Sequence, residues 1–314
     1  MKKVLITGAS GAVGLAFIKA YYDQYHFIGL SRNQNKQSAL KKKFNKIDIV
    51  IGSIEDRSDL INTFQTIKPD IVIHAAALKH IALAEEKPSE AIKTNIFGSL
   101  NVIDASIAAN VPITIGISSD KACLSNSVYG HTKNLMERLF LEASSATNQF
   151  ACCRLGNIAG SQGSVIPLWI KMARENKSLS VTSSKMNRFV FMPSDVADII
   201  QSAIDHLEKT QQPFIVTKNK KAVNMLDMAL SLSSHIEIVG KRLGEKLNES
   251  LVSINELPFS YVEGDCIFIK REKNAVKKNR LLEPLNTLRT EKMSIDEIKE
   301  MVKIVECFYE ENLN

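Results

Sequence analysis

The sequence predicts an α/β fold, a doubly wound parallel sheet with a smaller carboxyl-terminal lobe, and three observations carry that reading. Short β-branched runs alternate with helical patterns through the first half, the signature of parallel strands joined by helical crossovers. Several runs are continuously apolar, as strands covered on both faces must be. A glycine-rich turn, TGASGAVG, follows the first run and opens the first helix.

The candidate strands are Val4–Thr7, Phe27–Ser31, Ile47–Ile51, Ile71–Ala75, Ile113–Ser118 and Phe150–Leu155. Helices are expected to begin near Ala12, Gln34, Arg57, Pro88 and Tyr129; Pro88 suits a first helical turn, where its missing N–H has no partner to lose. After residue 160 the rhythm loosens into helical stretches at Ile166–Glu175, Ser194–Leu207 and Met225–Ser234, with one strand-like run, Phe214–Thr217. Residues 1–163 therefore read as one nucleotide-binding unit that also receives segments near 185–220, and 164–314 mainly as a substrate-side lobe. Ser294 and Glu297 form an S-x-x-E capping box for an amphipathic helix reaching Tyr309.

Composition excludes several classes. A chain of 314 residues with 45% hydrophobic and 24% charged side chains is neither disordered nor fibrous. Its net charge of +6 is dispersed, which suits an anionic small molecule, and no basic patch is interleaved with aromatics as nucleic-acid binding would want. No apolar stretch approaches the ~18 residues of a membrane span, and the run after Lys2 and Lys3 is too short for a signal peptide. The five cysteines are odd in number and lack C-x-x-C spacing, so reduced cytosolic thiols are expected rather than disulfides or zinc.

Gly8, Gly11 and Gly14 occupy the first strand-to-helix turn. A side chain at Gly8 hinders the tight turn, one at Gly11 keeps the backbone from a pyrophosphate, and one at Gly14 pushes helix from strand. The unit is thus Rossmann-like and its ligand a dinucleotide. The spacing, Gly-x-x-Gly-x-x-Gly, is the form carried by short-chain dehydrogenase/reductase proteins, which this region resembles. About twenty residues on, where an NAD enzyme places an acid, stand Ser31 and Arg32, with Lys36 one turn later. Cations there favour a 2′-phosphate, so NADP is expected. Ser53 and Ile54, after the third strand, are placed near the adenine.

Tyr129 and Lys133 lie four apart at a helix start and share a face. A phenol beside a fixed ammonium loses its proton more readily than its ordinary pKa of about 10 allows. Nine residues before Tyr129, in SSDKACLSNSVYGHTK, Asp120 and Lys121 follow the fifth strand at the sheet end where ligands gather. They offer a second acid/base pair, which a simple reductase or epimerase does not need. His74, within IVIHAAA, and the adjacent Cys152 and Cys153 read as core side chains.

At these segments the chain resembles the extended short-chain dehydrogenase/reductases, and among them the short UDP-N-acetylglucosamine 4,6-dehydratases that invert carbon 5. The matching stretches are TGASGAVG, SRNQNKQ, HAAALKHIALAEEKPSEAIKTNIFGSLNVIDA, SSDKACLSNSVYGHTK, RLGNIAGSQGSVIP, MNRFVF and VGKRLGEKLNES, reaching residue 252. The resemblance implies a tightly bound NADP lined by Ser10, Ala12, Val13, Ala75, Ala76, Ala77, Lys79, Asn95 and Asn157 besides the residues above. It implies a UDP-sugar held by Lys79, Asn157, Val165, Arg188, Arg242 and Glu245. It also implies internal redox elimination: Tyr129 and Lys133 act at the 4-hydroxyl, Lys121 is the base at carbon 5 and Asp120 the acid at the 6-hydroxyl, roles that could be exchanged, and Ser119 orients the sugar. A homo-oligomer paired through the Tyr-x-x-x-Lys helix is expected on the same ground. Gln162, Asn248, Ser125 and Ser127 depart from that group's usual Arg, His, Pro and Asn. A 4-epimerase or 4-ketoreductase, or a non-catalytic NADP-sensing protein, are the competing readings.

Overall fold

The computed structural model describes residues 1–161, 163–272 and 279–313, with side chains to residue 306. The six expected strands form as β1 (Lys3–Thr7), β2 (His26–Ser31), β3 (Asp48–Ile51), β4 (Ile71–His74), β5 (Ile113–Ser119) and β6 (Gln149–Leu155). Between them run α1 (Ala12–Tyr21), α2 (Gln34–Lys43), α3 (Arg57–Ile67), the short α4 (Ile81–Glu86) and α5 (Pro88–Ile92), α6 (Gly98–Ala108) and α7 (Val128–Ala143). Pro88 does open its helix, and the Asn33, Asp56 and Ser127 side chains cap α2, α3 and α7. The remaining elements are β7 (Asn157–Ile158), α8 (Val165–Arg174), β8 (Leu179–Val181), β9 (Asn187–Phe191), α9 (Pro193–Thr210), β10 (Phe214–Lys218), β11 (Ala222–Asn224), α10 (Met225–Leu232), β12 (Ile236–Ile238), β13 (Ser250–Val252), β14 (Ser260–Glu263), β15 (Cys266–Lys270), β16 (Leu285–Asn286) and α11 (Ile295–Leu313).

The main sheet runs β3-β2-β1-β4-β5-β6-β10-β15-β14. It is parallel from β3 to β10 and antiparallel across β15 and β14. Chain order reverses between β1 and β4, the place at whose carboxyl ends open α/β sheets take their ligands. Apolar side chains fill both faces: Val4, Ile6, Ile73, Phe140 and Phe150 belong to one cluster, and Leu5, Ile28, Phe64 and Val72 to the other. Alternate residues of one strand thus serve opposite layers.

One placement differs from the sequence expectation. Residues 260–270 join the main sheet as a hairpin turned at Gly264, instead of lying in the smaller lobe. The reason is that β10 otherwise ends the sheet as an open edge, which the apolar strand CIFIK covers in antiparallel register. The smaller lobe is built from β7–β9–β11, β8–β12, α8 and α10 around Trp169, Ile170, Leu179 and Met228. Helix α11, which had no expected role, closes this core with Ile298, Met301, Val302 and Val305. Its capping box is present: Ser294 N–H donates to Glu297 and Glu297 N–H to Ser294. No described helix is long and apolar enough to cross a membrane. Among the described residues no disulfide forms; Cys123, Cys152, Cys153 and Cys266 are free and buried. Gln162 and the side chain of Cys307 lie outside the description.

Candidate active site

The glycine turn lies at this strand-order reversal, directly after β1. Gly8 has φ +72°, and a Cβ on it would lie 2.9 Å from the Ala76 nitrogen, so the turn and the Ala75–Ala77 stretch after β4 touch backbone to backbone. On Gly14 a Cβ would fall 2.3 Å from the Ala9 carbonyl oxygen, which fixes α1 against the turn. Gly11 is the N-cap of α1 with no side-chain cap, leaving first-turn N–H groups for an anion at the positive end of the helix. Ser10, Ala12 and Val13 border that end, each partly exposed. These residues fit a dinucleotide pyrophosphate.

At the end of β2, Arg32 projects into solvent and pairs with Glu55 at 3.2 Å. Glu55 also takes Lys93 at 3.3 Å and a hydrogen bond from Thr94. Partial burial works to lift its carboxyl, but Thr94, Lys93 and Arg32 together hold it below the ordinary range. Ser31 accepts the Asn33 N–H, and Lys36 sits in the first turn of α2. Lys36 and Lys79 are close enough for repulsion to add to the crowding that lowers the Lys79 ammonium. Ser53 accepts the Glu55 N–H. Ile54, by contrast, is a core residue packed on Gly98 rather than an exposed contact. Asn95 is likewise buried: its side chain bonds Leu78 N–H, the Leu78 carbonyl and Thr132, so it shapes the cleft wall from behind.

Asp120–Ala122 form a single 3₁₀ turn between β5 and α7. Asp120 is fully buried; its Oδ1 accepts from Ser119 at 3.0 Å and from Lys121 Nζ at 2.7 Å, while Oδ2 has no partner. The Lys121 ammonium also donates to Asn157 Oδ1 at 3.0 Å. A Cβ on Gly130 would lie 2.4 Å from the Lys121 carbonyl oxygen, so only glycine lets this turn seat on α7. The helix start is held by Ser127, which accepts the Gly130 N–H, and by Glu85, which accepts the Val128 N–H at 2.7 Å. Sequence reasoning missed Gly130 and Glu85; the Y-G-x-x-K spacing signalled the first, whereas Glu85 looks like any surface acid.

The Tyr129 hydroxyl shares a hydrogen bond with Ser119, placing both reacting pairs on one continuous segment. Its phenol does not titrate low as expected: burial pushes it up to about 12, with Ser119 opposing and Asp120 adding. Lys133 Nζ donates to the Ile117 carbonyl at 2.7 Å, and burial lowers its ammonium to about 8. His74 is a satisfied core side chain. Ser99 donates to the Asn95 carbonyl and so accepts from His74 Nε2, which leaves Nδ1 to accept from Thr7 at 2.8 Å. Cys152 and Cys153 are wholly buried, and burial raises their thiols far above the ordinary range.

The smaller lobe meets this centre through residues 240–249. Arg188 is buried, with its guanidinium donating to the carbonyls of Asn187, Lys246 and Leu247. It therefore shapes the 246–247 backbone and does not stand free for a diphosphate. Glu245 accepts the Arg242 N–H, closing a turn that leaves the Arg242 side chain exposed. Lys246 Nζ donates to the carbonyls of Cys123 and Leu124, tying this loop to the 3₁₀ turn. Asn248 bonds Asn187 and Thr287 within the lobe. Val165 is the first residue of α8, partly buried at the lobe core. No group of three metal-ligating side chains occurs among the described residues.

The polysaccharide biosynthesis protein family matches residues 4–270. The chain is 34% identical over 272 residues to the UDP-N-acetylglucosamine 4,6-dehydratase (inverting) of Campylobacter jejuni, covering 83% of this chain and 80% of the relative. It is 30% identical over 339 aligned positions to the UDP-glucose 4-epimerase of Rickettsia felis, covering 100% and 98%. The X-ray structure of Pen from Bacillus thuringiensis superimposes with a TM-score of 0.89 at 27% identity, covering 97% and 98% of the two chains. With its doubly wound sheet, glycine turn and Tyr-x-x-x-Lys helix, the chain belongs to the polysaccharide biosynthesis protein family.

Proposed function

We propose that this protein is a nucleotide-sugar 4,6-dehydratase acting on UDP-N-acetylglucosamine, with inversion at carbon 5. The observation that carries the reading is the Asp120 carboxylate, buried beside Lys121 with one oxygen uncommitted, in the turn nine residues before Tyr129. A 4-epimerase needs proton transfer only at the 4-hydroxyl; elimination needs a second acid/base pair at carbons 5 and 6. The similarity to the Campylobacter jejuni dehydratase supports the same assignment.

The Gly8–Gly14 turn, the α1 N-terminus and the Ala75–Ala77 stretch would hold a nicotinamide dinucleotide, and the cations Arg32 and Lys36 after β2 favour NADP. Bound there, such a cofactor would supply hydride acceptance from sugar carbon 4 and hydride return to carbon 6, so that no outside reductant is used. Tyr129 would accept the 4-hydroxyl proton once a nicotinamide cation beside it offsets the burial that raises its phenol; the Ser119 hydroxyl works in the same direction, and Lys133, anchored on the Ile117 carbonyl, adds positive charge one turn on. The resulting 4-ketone acidifies carbon 5. Lys121 and Asp120 divide the next two tasks: one removes the carbon 5 proton and the other protonates the departing 6-hydroxyl. Asn157 holds the Lys121 ammonium over this pair. The smaller lobe supplies Glu245, Arg242 and the Arg188-braced 246–247 backbone to the UDP side.

The test is incubation of the purified protein with UDP-N-acetylglucosamine without added reductant, followed by mass spectrometry and proton NMR. Loss of one water with a 4-keto-6-deoxy product is expected, and ring couplings report carbon 5. An isomer of unchanged mass overturns the dehydratase reading in favour of the epimerase.

A further inference from the structure

Glu249 is an ionisable side chain for which the catalytic scheme has no task, yet it is almost inaccessible: 2% of its side chain is exposed. Its backbone is held on both sides by Thr287, whose Oγ1 accepts the Glu249 N–H at 3.0 Å and whose N–H donates to the Glu249 carbonyl at 2.8 Å. The carboxylate lies between two ammonium groups. Oε1 is 3.8 Å from Lys121 Nζ and Oε2 is 2.8 Å from Lys246 Nζ. Lys246 in turn grips the carbonyls of Cys123 and Leu124, directly after the Asp120–Lys121 turn. A carboxylate is buried at such a place only with compensating charge.

Asp120, Lys121, Glu249 and Lys246 therefore alternate in sign, two carboxylates with two ammoniums. The Lys121 ammonium donates to Asp120 Oδ1 at 2.7 Å and to Asn157 Oδ1 at 3.0 Å, while Glu249 Oε1, at 3.8 Å, faces it as a charge and not as a hydrogen-bond acceptor. Take Glu249 away and Lys121 keeps Asp120 and Asn157, but Lys246 loses its carboxylate partner and repels the neighbouring ammonium. The Lys121–Asp120 pair, whose members must work at neighbouring carbons, then loses the charge balance that sets where its proton sits.

We propose that Glu249 is a positioning residue for the carbon 5 proton transfer: it neutralises Lys246 and, 3.8 Å from the Lys121 ammonium, offsets the Lys246 charge that acts on it, so that Lys121 keeps its place and its proton between Asp120 and Asn157. The inference rests on the dehydratase reading and adds a residue from the smaller lobe to it.

The experiment compares the full-length protein with Glu249→Gln, using UDP-N-acetylglucosamine deuterated at carbon 5 and, separately, at carbon 4. Expected for Glu249→Gln is a fall in kcat of about 10²-fold, KM within a few-fold, and an enlarged isotope effect from carbon 5 with none gained from carbon 4. A merely structural role lowers the active fraction and leaves both isotope effects as they were; that result, or an unchanged kcat, overturns the inference. Should Glu249→Gln not fold, Glu249→Asp keeps the charge, withdraws it by one methylene, and is judged by the same isotope effects. Water loss by the unmutated protein separates the two ideas: its absence overturns the dehydratase reading itself, whereas its presence with unaltered carbon 5 chemistry in the variants overturns only the part played by Glu249.

Discussion

Arg154 holds Glu137 through two parallel hydrogen bonds, Nε to Oε1 at 2.9 Å and Nη2 to Oε2 at 2.7 Å, with both side chains withdrawn from water. The pair joins β6 to α7 one turn beyond Lys133, and Ser118 at the end of β5 donates to the same Glu137 oxygen. The same guanidinium reaches Glu256 at 2.8 Å and the Leu251 carbonyl at 2.7 Å. Burial works to raise the Glu256 carboxyl, but Arg154 and Ser253 outweigh it and hold it at about 2.

Arg154→Met is expected to destabilise the protein by about 3–5 kcal/mol, because it removes the positive charge paired with the Glu137 and Glu256 carboxylates, which Ser118 and Ser253 hydrogen-bond without neutralising. Replacing Glu137 by Leu in the same chain should recover part of that loss. Urea unfolding of the two variants checks both statements.

His74 is neutral in the fold, with burial first and the Lys133 charge second holding its imidazole down to about 3 from an ordinary 6.5. Protons are then taken up more readily by the unfolded chain across that window. The stability that His74 contributes is complete above pH 6.5 and declines as pH falls toward 3. In His74→Gln the slope of stability against pH between those limits should flatten, measured by denaturant unfolding at a series of pH values. An unchanged slope refutes the assignment.

Arg32 is expected to bind the 2′-phosphate of NADP. Arg32→Ala should weaken NADP binding by about 1.5–3 kcal/mol, the value of a charge-assisted hydrogen bond, and leave NAD binding nearly unaltered. Calorimetric titration of the two dinucleotides decides it; equal losses for both argue that Arg32 serves Glu55 and not the ligand.

The alternation of β1 to β6 with their helices was legible because strands buried on both faces must be apolar throughout, as in Val4–Thr7 and Ile71–His74. Cys266–Lys270 was not, since an apolar run of five residues does not say which edge it will cover, and its partner Phe214–Lys218 lies far back in the chain. At the site, Tyr129, Lys133, Asp120 and Lys121 could be found from spacing and resemblance because they sit within one short segment. Arg188 misled: an arginine looks the same in sequence whether its guanidinium faces a ligand or three carbonyls. Glu249 and Arg154 went unnoticed for a related reason, as their partners Lys121 and Glu256 are 128 and 102 residues away.

The hairpin of β14 and β15 also bears on the order in which the molecule can assemble. Until residues 250–270 leave the ribosome, β10 presents a bare edge and Arg154 lacks both Glu256 and the Leu251 carbonyl. The nucleotide-binding half therefore cannot reach its final state cotranslationally by itself, although all its helical crossovers are already made. These last contacts are non-local, 48 to 56 residues apart for β10 with β15 and 102 for Arg154 with Glu256, which slows the closing step and exposes a strand to other chains meanwhile. Completion of the sheet is thus a late event that depends on the carboxyl-terminal part of the polypeptide.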